Sequence, residues 1–188
     1  MIRLATDPFV TYQGEGHYLG EKMAFVRFAG CSVGCPKCDT NYQPKISMTA
    51  SVVVEKVINL NTQWVWITGG EPTDQMDGLN ELVYLLERRD KLIALATSGI
   101  REAPRVHYLS VSPHSAGFVQ RVGTEIKLVP LLNGLDIWSI DLSDIQFAYR
   151  YVMPMHGSQE SMDICLDWIE QHPEWKLTVQ AHKVWRLP

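Results

Sequence analysis

The chain has 188 residues, 46% of them apolar, and a formal net charge of −4. That length suits a single domain, 1–188, and the apolar share is enough for a substantial core. The acidic balance argues against a nucleic-acid face, which needs clustered Lys and Arg, and no apolar run is long enough for a membrane-spanning helix, so neither partner is expected.

In chain order, the first predicted strand covers 24–28. It follows the segment Phe9-Val10-Thr11-Tyr12-Gln13-Gly14-Glu15-Gly16 and runs into three cysteines, Cys31, Cys35 and Cys38, spaced C-x3-C-x2-C. Thr49 or Ser51 is placed to cap a helix running through Leu60, with Val53, Val57 and Leu60 on one face. A strand over 64–68 ends in Gly69-Gly70-Glu71-Pro72. A helix over 78–89 carries Leu79, Leu82, Val83 and Leu86 at helical spacing. Strands follow over 92–96, leading to Thr97-Ser98-Gly99, and over 108–112, leading to Pro113-His114. Two more cover 125–129 and 147–152, the second ending in Met153-Pro154. Ser158 is placed to cap a third helix through Gln171, with Met162, Cys165, Leu166 and Ile169 facing inward, and a last strand covers 177–180.

The strands are short and mostly apolar, as strands buried on both faces are. Their alternation with helices implies a mostly parallel α/β fold with right-handed crossovers. The connections after the 108–112 and 125–129 strands are too short for full helices, so the expectation is a reduced, open, incomplete relative of the (β/α) barrel. In such folds chemistry gathers at the carboxyl ends of the strands, where the cysteine loop, the Gly-Gly-Glu-Pro turn and the Thr97, Ser112 and Met153 turns all fall.

Residues 1–10 contain Asp7 and Pro8 and no long apolar run, so no signal peptide is read there. Three cysteines within eight residues and a remote fourth do not make a secreted disulfide framework, which points to a reduced, cytoplasmic setting. Cys165 lies in a helical apolar pattern and reads as a buried hydrophobe. Three thiolates cannot complete a tetrahedral zinc site, although His17 or Asp39 would give a zinc knuckle a fourth ligand. Three thiolates can hold three corners of a four-iron cluster and leave one iron open to a ligand.

The C-x3-C-x2-C loop after the first strand, followed one parallel strand later by Gly69-Gly70-Glu71-Pro72, resembles the radical S-adenosylmethionine superfamily. That resemblance implies a [4Fe-4S] cluster held by Cys31, Cys35 and Cys38, with S-adenosylmethionine on the open iron. Glu71 is then an acceptor for the cofactor ammonium, against the plainer reading of a strand-to-loop turn. Arg27 lies inside an apolar strand on the face of Phe25, and a buried cation needs a partner. A ligand carboxylate or a structural ion pair with Glu125 would each serve.

Adding Gln13-Gly14-Glu15-Gly16, Arg27-Phe28-Ala29-Gly30-Cys31, Cys38-Asp39-Thr40, Ser112-Pro113, Glu125-Ile126-Lys127 and Gln180-Ala181-His182-Lys183, the chain resembles the 7-carboxy-7-deazaguanine synthase family over nearly its whole length. The resemblance implies conversion of 6-carboxy-5,6,7,8-tetrahydropterin to 7-carboxy-7-deazaguanine with loss of ammonia. It implies Mg²⁺ bound through Thr40, a flavodoxin- or ferredoxin-type reductant and a homodimer. The implied cofactor set is Gly69, Gly70, Glu71, Thr97, Ser98, Ser112, Pro113, His114, Met153, Pro154, Met155 and His156. The implied substrate set is Tyr12, Gln13, Gly14, Glu15, Arg27, Thr68, His182 and the carboxylate of Pro188.

Four positions depart from the family pattern: Lys37 replaces an aromatic, Ala96 a glutamate, His114 a lysine and Met153 a glutamine. They imply weaker cofactor affinity or compensating contacts. The competing readings are a glycyl-radical activase, a non-catalytic zinc or iron–sulfur interaction module, and a family member that binds without turnover.

Overall fold

The computed structural model describes residues 1–36, 38 and 41–187. Seven strands pair in parallel along one sheet: β3 (Lys22–Phe28), β5 (Trp64–Gly69), β6 (Leu92–Thr97), β7 (Tyr108–Val111), β8 (Val122–Leu128), β9 (Gln146–Val152) and β10 (Lys176–Leu177). Three antiparallel strands continue the sheet beyond β3: β1 (Ile2–Leu4), β2 (Phe9–Tyr12) and β4 (Ile46–Met48). β10 and β4 stand at the two ends of the strand order, so the sheet is open, a mostly parallel and incomplete barrel as expected.

The period-2 alternation of the strands divides two packed layers. Ala24, Val26 and Phe28, with Val65, Ile67, Ile93 and Leu95, face the helices. Against them pack Val53 and Val57 of α1 (Ala50–Asn59), Leu79, Leu82 and Leu86 of α2 (Met76–Glu87), and Cys165 and Trp168 of α3 (Gln159–Gln171). On the opposite face Met23, Phe25, Trp66, Ala94 and Tyr108 form a second apolar layer, joined by Phe9, Tyr18 and Tyr149.

Thr49 is the cap of α1: its side chain accepts from the Val52 N–H at 3.4 Å, while Ser51 bonds the Thr49 hydroxyl. Ser158 caps α3 through the Ser161 N–H at 3.2 Å. Leu166, expected to face inward, is 43% exposed. The buried stripe of α3 is Ser161, Cys165 and Trp168, a one-position rotation that brings the larger indole into the core.

Three strands that the sequence did not announce, β1, β2 and β4, are only three or four residues long and are held by pairing to β3 or to each other. The 98–107 connection between β6 and β7 also lacks a helix, as does the one between β7 and β8, while the connection from β8 to β9 carries two 3₁₀ turns, Leu132–Gly134 and Ile137–Ser139, and no α-helix. β10 stops at Leu177 instead of reaching Gln180, because Ala181 N–H donates to the Gly14 carbonyl at 2.9 Å. That bond swings the chain across to the N-terminal loop and starts α4 (Ala181–Trp185) beside it.

Cys165 is fully buried, and burial pushes its thiol from the ordinary value near 9 up to about 12. Between those values the unfolded chain gives up the proton and the folded chain keeps it, so the stability tied to this proton falls as pH rises from about 9 to about 12. Urea midpoints taken from pH 8.5 to 11 should therefore decline less steeply in Cys165→Ala than in the parent. Parallel declines would remove Cys165 from the alkaline sensitivity.

Candidate active site

A cavity of about 230 Å³ opens at the carboxyl ends of β3, β5, β6, β7 and β8. Its wall includes all three loop cysteines together with Gln13, Glu15, Arg27, Thr68 and His182. An adjoining cavity of about 160 Å³ shares Cys35, Cys38, His114 and Met153 with it and adds Met155, His156 and Lys183.

The cysteine loop is anchored at its start. Gln75 donates to the Ala29 carbonyl at 2.9 Å, and Asp74 accepts from the backbone and hydroxyl of Ser32 at 2.7 and 2.8 Å. Both anchors belong to the single 3₁₀ turn Pro72–Gln75 that follows Gly-Gly-Glu-Pro. The two motifs are thus physically joined. Cys35 is buried, Cys31 half-buried and Cys38 exposed. Burial, then the neighbouring Cys38 and Cys31, push the Cys35 thiol up to about 11. A thiol so placed keeps its proton near neutral pH until a metal displaces it.

This donor set fits an iron–sulfur cluster. Among the described residues no three His, Cys, Asp or Glu side chains stand together closely enough to hold one metal ion. A cluster spreads its cysteines over separate irons and needs no such convergence. The zinc-knuckle reading loses His17, whose ring stacks on Tyr149 at 3.8 Å and whose backbone N–H donates to Glu125 at 2.8 Å, away from the cavity lining. Asp39 lies outside the described residues, as do Lys37, Thr40 and Pro188.

Of the expected cofactor residues, Gly69, Gly70, Glu71, Thr97, Ser98, Ser112, His114 and Met153 line the larger cavity. Met155 and His156 line the smaller one, while Pro113 and Pro154 line neither. Glu71 is 1% exposed, and its carboxylate already receives five hydrogen bonds. One oxygen takes the backbone N–H and hydroxyl of Thr73 and the hydroxyl of Thr97. The other takes the backbone N–H and hydroxyl of Ser98. Glu71 therefore ties the end of β5 to the end of β6, a bracing role that the sequence reading did not foresee.

Of the expected substrate residues, all the described ones line the larger cavity: Tyr12, Gln13, Gly14, Glu15, Arg27, Thr68 and His182. Arg27 stands in register with Thr68, and its guanidinium lies 5.0 Å from the centre of the Phe9 ring. Glu125, the residue considered as its structural partner, accepts instead from His17 N–H at 2.8 Å, the Tyr108 hydroxyl at 2.8 Å and the Ser110 hydroxyl at 2.7 Å. Desolvation and the Glu125 charge raise the Tyr108 phenol far above its ordinary value, so it remains a donor. Gly16 shows why Gln-Gly-Glu-Gly ends in glycine. Its φ is +66°, and a Cβ there would stand 2.2 Å from the Glu125 carboxylate.

The clearest omission from the sequence reading is Lys127. Its side chain is 7% exposed, lines the cavity and forms an ion pair with Glu15, whose other oxygen lies 3.7 Å from His182 Nδ1. The signal was present: Glu125 and Lys127 alternate with Ile126 and Leu128, so both had to leave the apolar face together. Trp66 and Phe25, members of the second apolar layer, form part of the cavity wall as well.

No protein-family model matches the chain. It is 28% identical over 188 residues to the 7-carboxy-7-deazaguanine synthase of Bacteroides thetaiotaomicron, with 98% of each chain covered. It is 30% identical over 214 residues to the protein of the same name from Burkholderia multivorans, with 100% of each chain covered. A crystal structure of QueE from Escherichia coli shares the fold, with a TM-score of 0.70 at 21% identity, over 96% of this chain and 94% of that one.

Proposed function

The chain belongs to the 7-carboxy-7-deazaguanine synthase family, and from that premise we propose that it is a radical S-adenosylmethionine lyase of queuosine-precursor biosynthesis, converting 6-carboxy-5,6,7,8-tetrahydropterin to 7-carboxy-7-deazaguanine and ammonia. The conversion is redox-neutral overall. The observation that carries the reading is a single cavity lined by three cysteines and by Gln13, Glu15, Arg27, Lys127 and His182.

Cys31, Cys35 and Cys38 would hold the cluster, and the turns at Gly70, Ser98, Ser112 and Met153, which line the same cavity, would hold S-adenosylmethionine. Bound there, these groups would supply one-electron, radical hydrogen-abstraction chemistry. The polypeptide binds, orients and encloses. Arg27 presents a planar fork to the substrate carboxylate, steadied by the Phe9 ring. Lys127 and His182 flank Glu15 and aim its carboxylate at the donor edge of the pterin. Gln13, buried at 6% exposure, is held by donation from the Gly14 N–H to its side-chain oxygen at 2.7 Å, which leaves its amide N–H₂ for the ligand. Phe25 and Trp66 close the wall against water.

The same reading assigns Thr40 to Mg²⁺ and the Pro188 carboxylate to the substrate, and it includes a single domain, a homodimer, a flavodoxin- or ferredoxin-type reductant and a cytoplasmic setting. No helix among the described residues is long and apolar enough to cross a membrane. The test is anaerobic reconstitution with iron and sulfide, reduction, and incubation with S-adenosylmethionine and the carboxytetrahydropterin. The expected products are 5′-deoxyadenosine and the deazaguanine acid. Zinc in place of iron would overturn the radical reading, and the nucleoside without the acid would overturn the substrate.

A further inference from the structure

His114 Nδ1 lies 2.8 Å from the Cys35 sulfur. Both residues line both cavities. The histidine lies three residues beyond the end of β7, where Asn133 fixes the loop by donating its amide to the His114 carbonyl at 3.3 Å. A lysine at this position would bring a flexible point charge, whereas an imidazole brings one directed N–H on a ring of fixed length.

We propose that His114 is a positioning and tuning residue, donating from Nδ1 to the Cys35 sulfur of the bound cluster and raising its reduction potential. The inference rests on the cluster assignment above. A ligated thiolate has only lone pairs to offer, so the ring must be the donor. A hydrogen bond to a ligand sulfur draws off electron density and favours the more negative, reduced cluster. It therefore eases the electron delivery that must come before any radical chemistry. This departure from the family pattern stands within hydrogen-bond distance of a cluster cysteine.

The test compares the reconstituted parent with His114→Phe and His114→Asn, the second of which keeps an N–H near the Nδ1 position. Iron and sulfide content comes first, then a potentiometric titration followed by the electron paramagnetic resonance of the reduced cluster. The phenylalanine variant should titrate at a more negative potential, and the asparagine variant should recover most of the shift. In the parent, exchange into D₂O should shift the iron–cysteine stretching bands in the resonance Raman spectrum, a readout that needs no variant. Equal potentials in three fully loaded proteins, or bands unmoved by D₂O, would overturn the inference. A nitrogen coupling large enough for direct iron ligation would overturn it as well. A parent that assembles no four-iron cluster would overturn the cluster assignment instead.

Discussion

Gly70→Ala should cost about 3 kcal/mol of stability and most of the chain's capacity to assemble a cluster. A Cβ on Gly70 would stand 1.7 Å from the Gly30 carbonyl oxygen, 2.6 Å from its carbon and 3.3 Å from the Cys31 Cβ. The obstacle is backbone, so no rotamer change relieves it. Two hydrogen bonds hold the approach: Gly70 N–H to the Phe28 carbonyl at 2.8 Å and Glu71 N–H to the Gly30 carbonyl at 3.0 Å. Relief therefore requires parting β3 from β5 where the cysteine loop departs, which moves Cys31 relative to Cys35 and Cys38. Gly117→Ala makes a suitable control, because nothing lies within 4 Å of the Cβ it would add; its stability should stay within about 0.5 kcal/mol of the parent. Urea midpoints and iron per chain after reconstitution check both, and a Gly70→Ala protein that matches the control in both would refute the steric argument.

The same pair of segments shows how far the sequence could be read. β5 and β6 are nearly continuous apolar runs, and β3 and β9 are mostly apolar ones broken by Arg27 and Arg150; each reaches a glycine or proline at its end or within two residues of it, the pattern of a buried parallel strand. β1, β2 and β4 have no pattern of their own. Arg3 is exposed between buried Ile2 and Leu4, and three residues are too few to establish a period. β1 and β2 exist because β3 offers them an edge, and β4 because β1 does. α4 is similarly invisible, since its five residues depend on the Ala181–Gly14 hydrogen bond between chain regions far apart in sequence. At the site, residue types at strand ends named most of the cavity wall. What they could not give was connectivity. That Lys127 meets Glu15, that Glu125 serves His17, Tyr108 and Ser110, and that His114 reaches Cys35 are facts of strand order. Strand order is fixed by the packing of the whole sheet and by no local signal.

Glu71→Gln should destabilise the chain by about 2–4 kcal/mol even before any cofactor is bound. The isosteric swap looks mild, and the partners explain why it is not. One oxygen of Glu71 receives the Thr73 N–H at 3.1 Å and the other receives the Ser98 N–H at 2.8 Å. Backbone N–H groups can only donate. Whichever way a glutamine amide turns, its N–H₂ faces one of them, and a buried donor is left opposed to a donor. The three hydroxyls of Thr73, Thr97 and Ser98 can rotate, but their rotation cannot satisfy that N–H. Only a carboxylate accepts on both sides. Loss of this clamp lets the ends of β5 and β6 separate, and Thr97 and Ser98 are themselves cavity lining, so S-adenosylmethionine should bind at least about tenfold more weakly, a penalty of about 1.4 kcal/mol. The two roles considered for Glu71 separate at this point. An acid that acts only on the cofactor ammonium would lose affinity in Glu71→Gln while the cofactor-free chain kept its full urea midpoint. A brace loses both, and the cofactor-free midpoint decides between them.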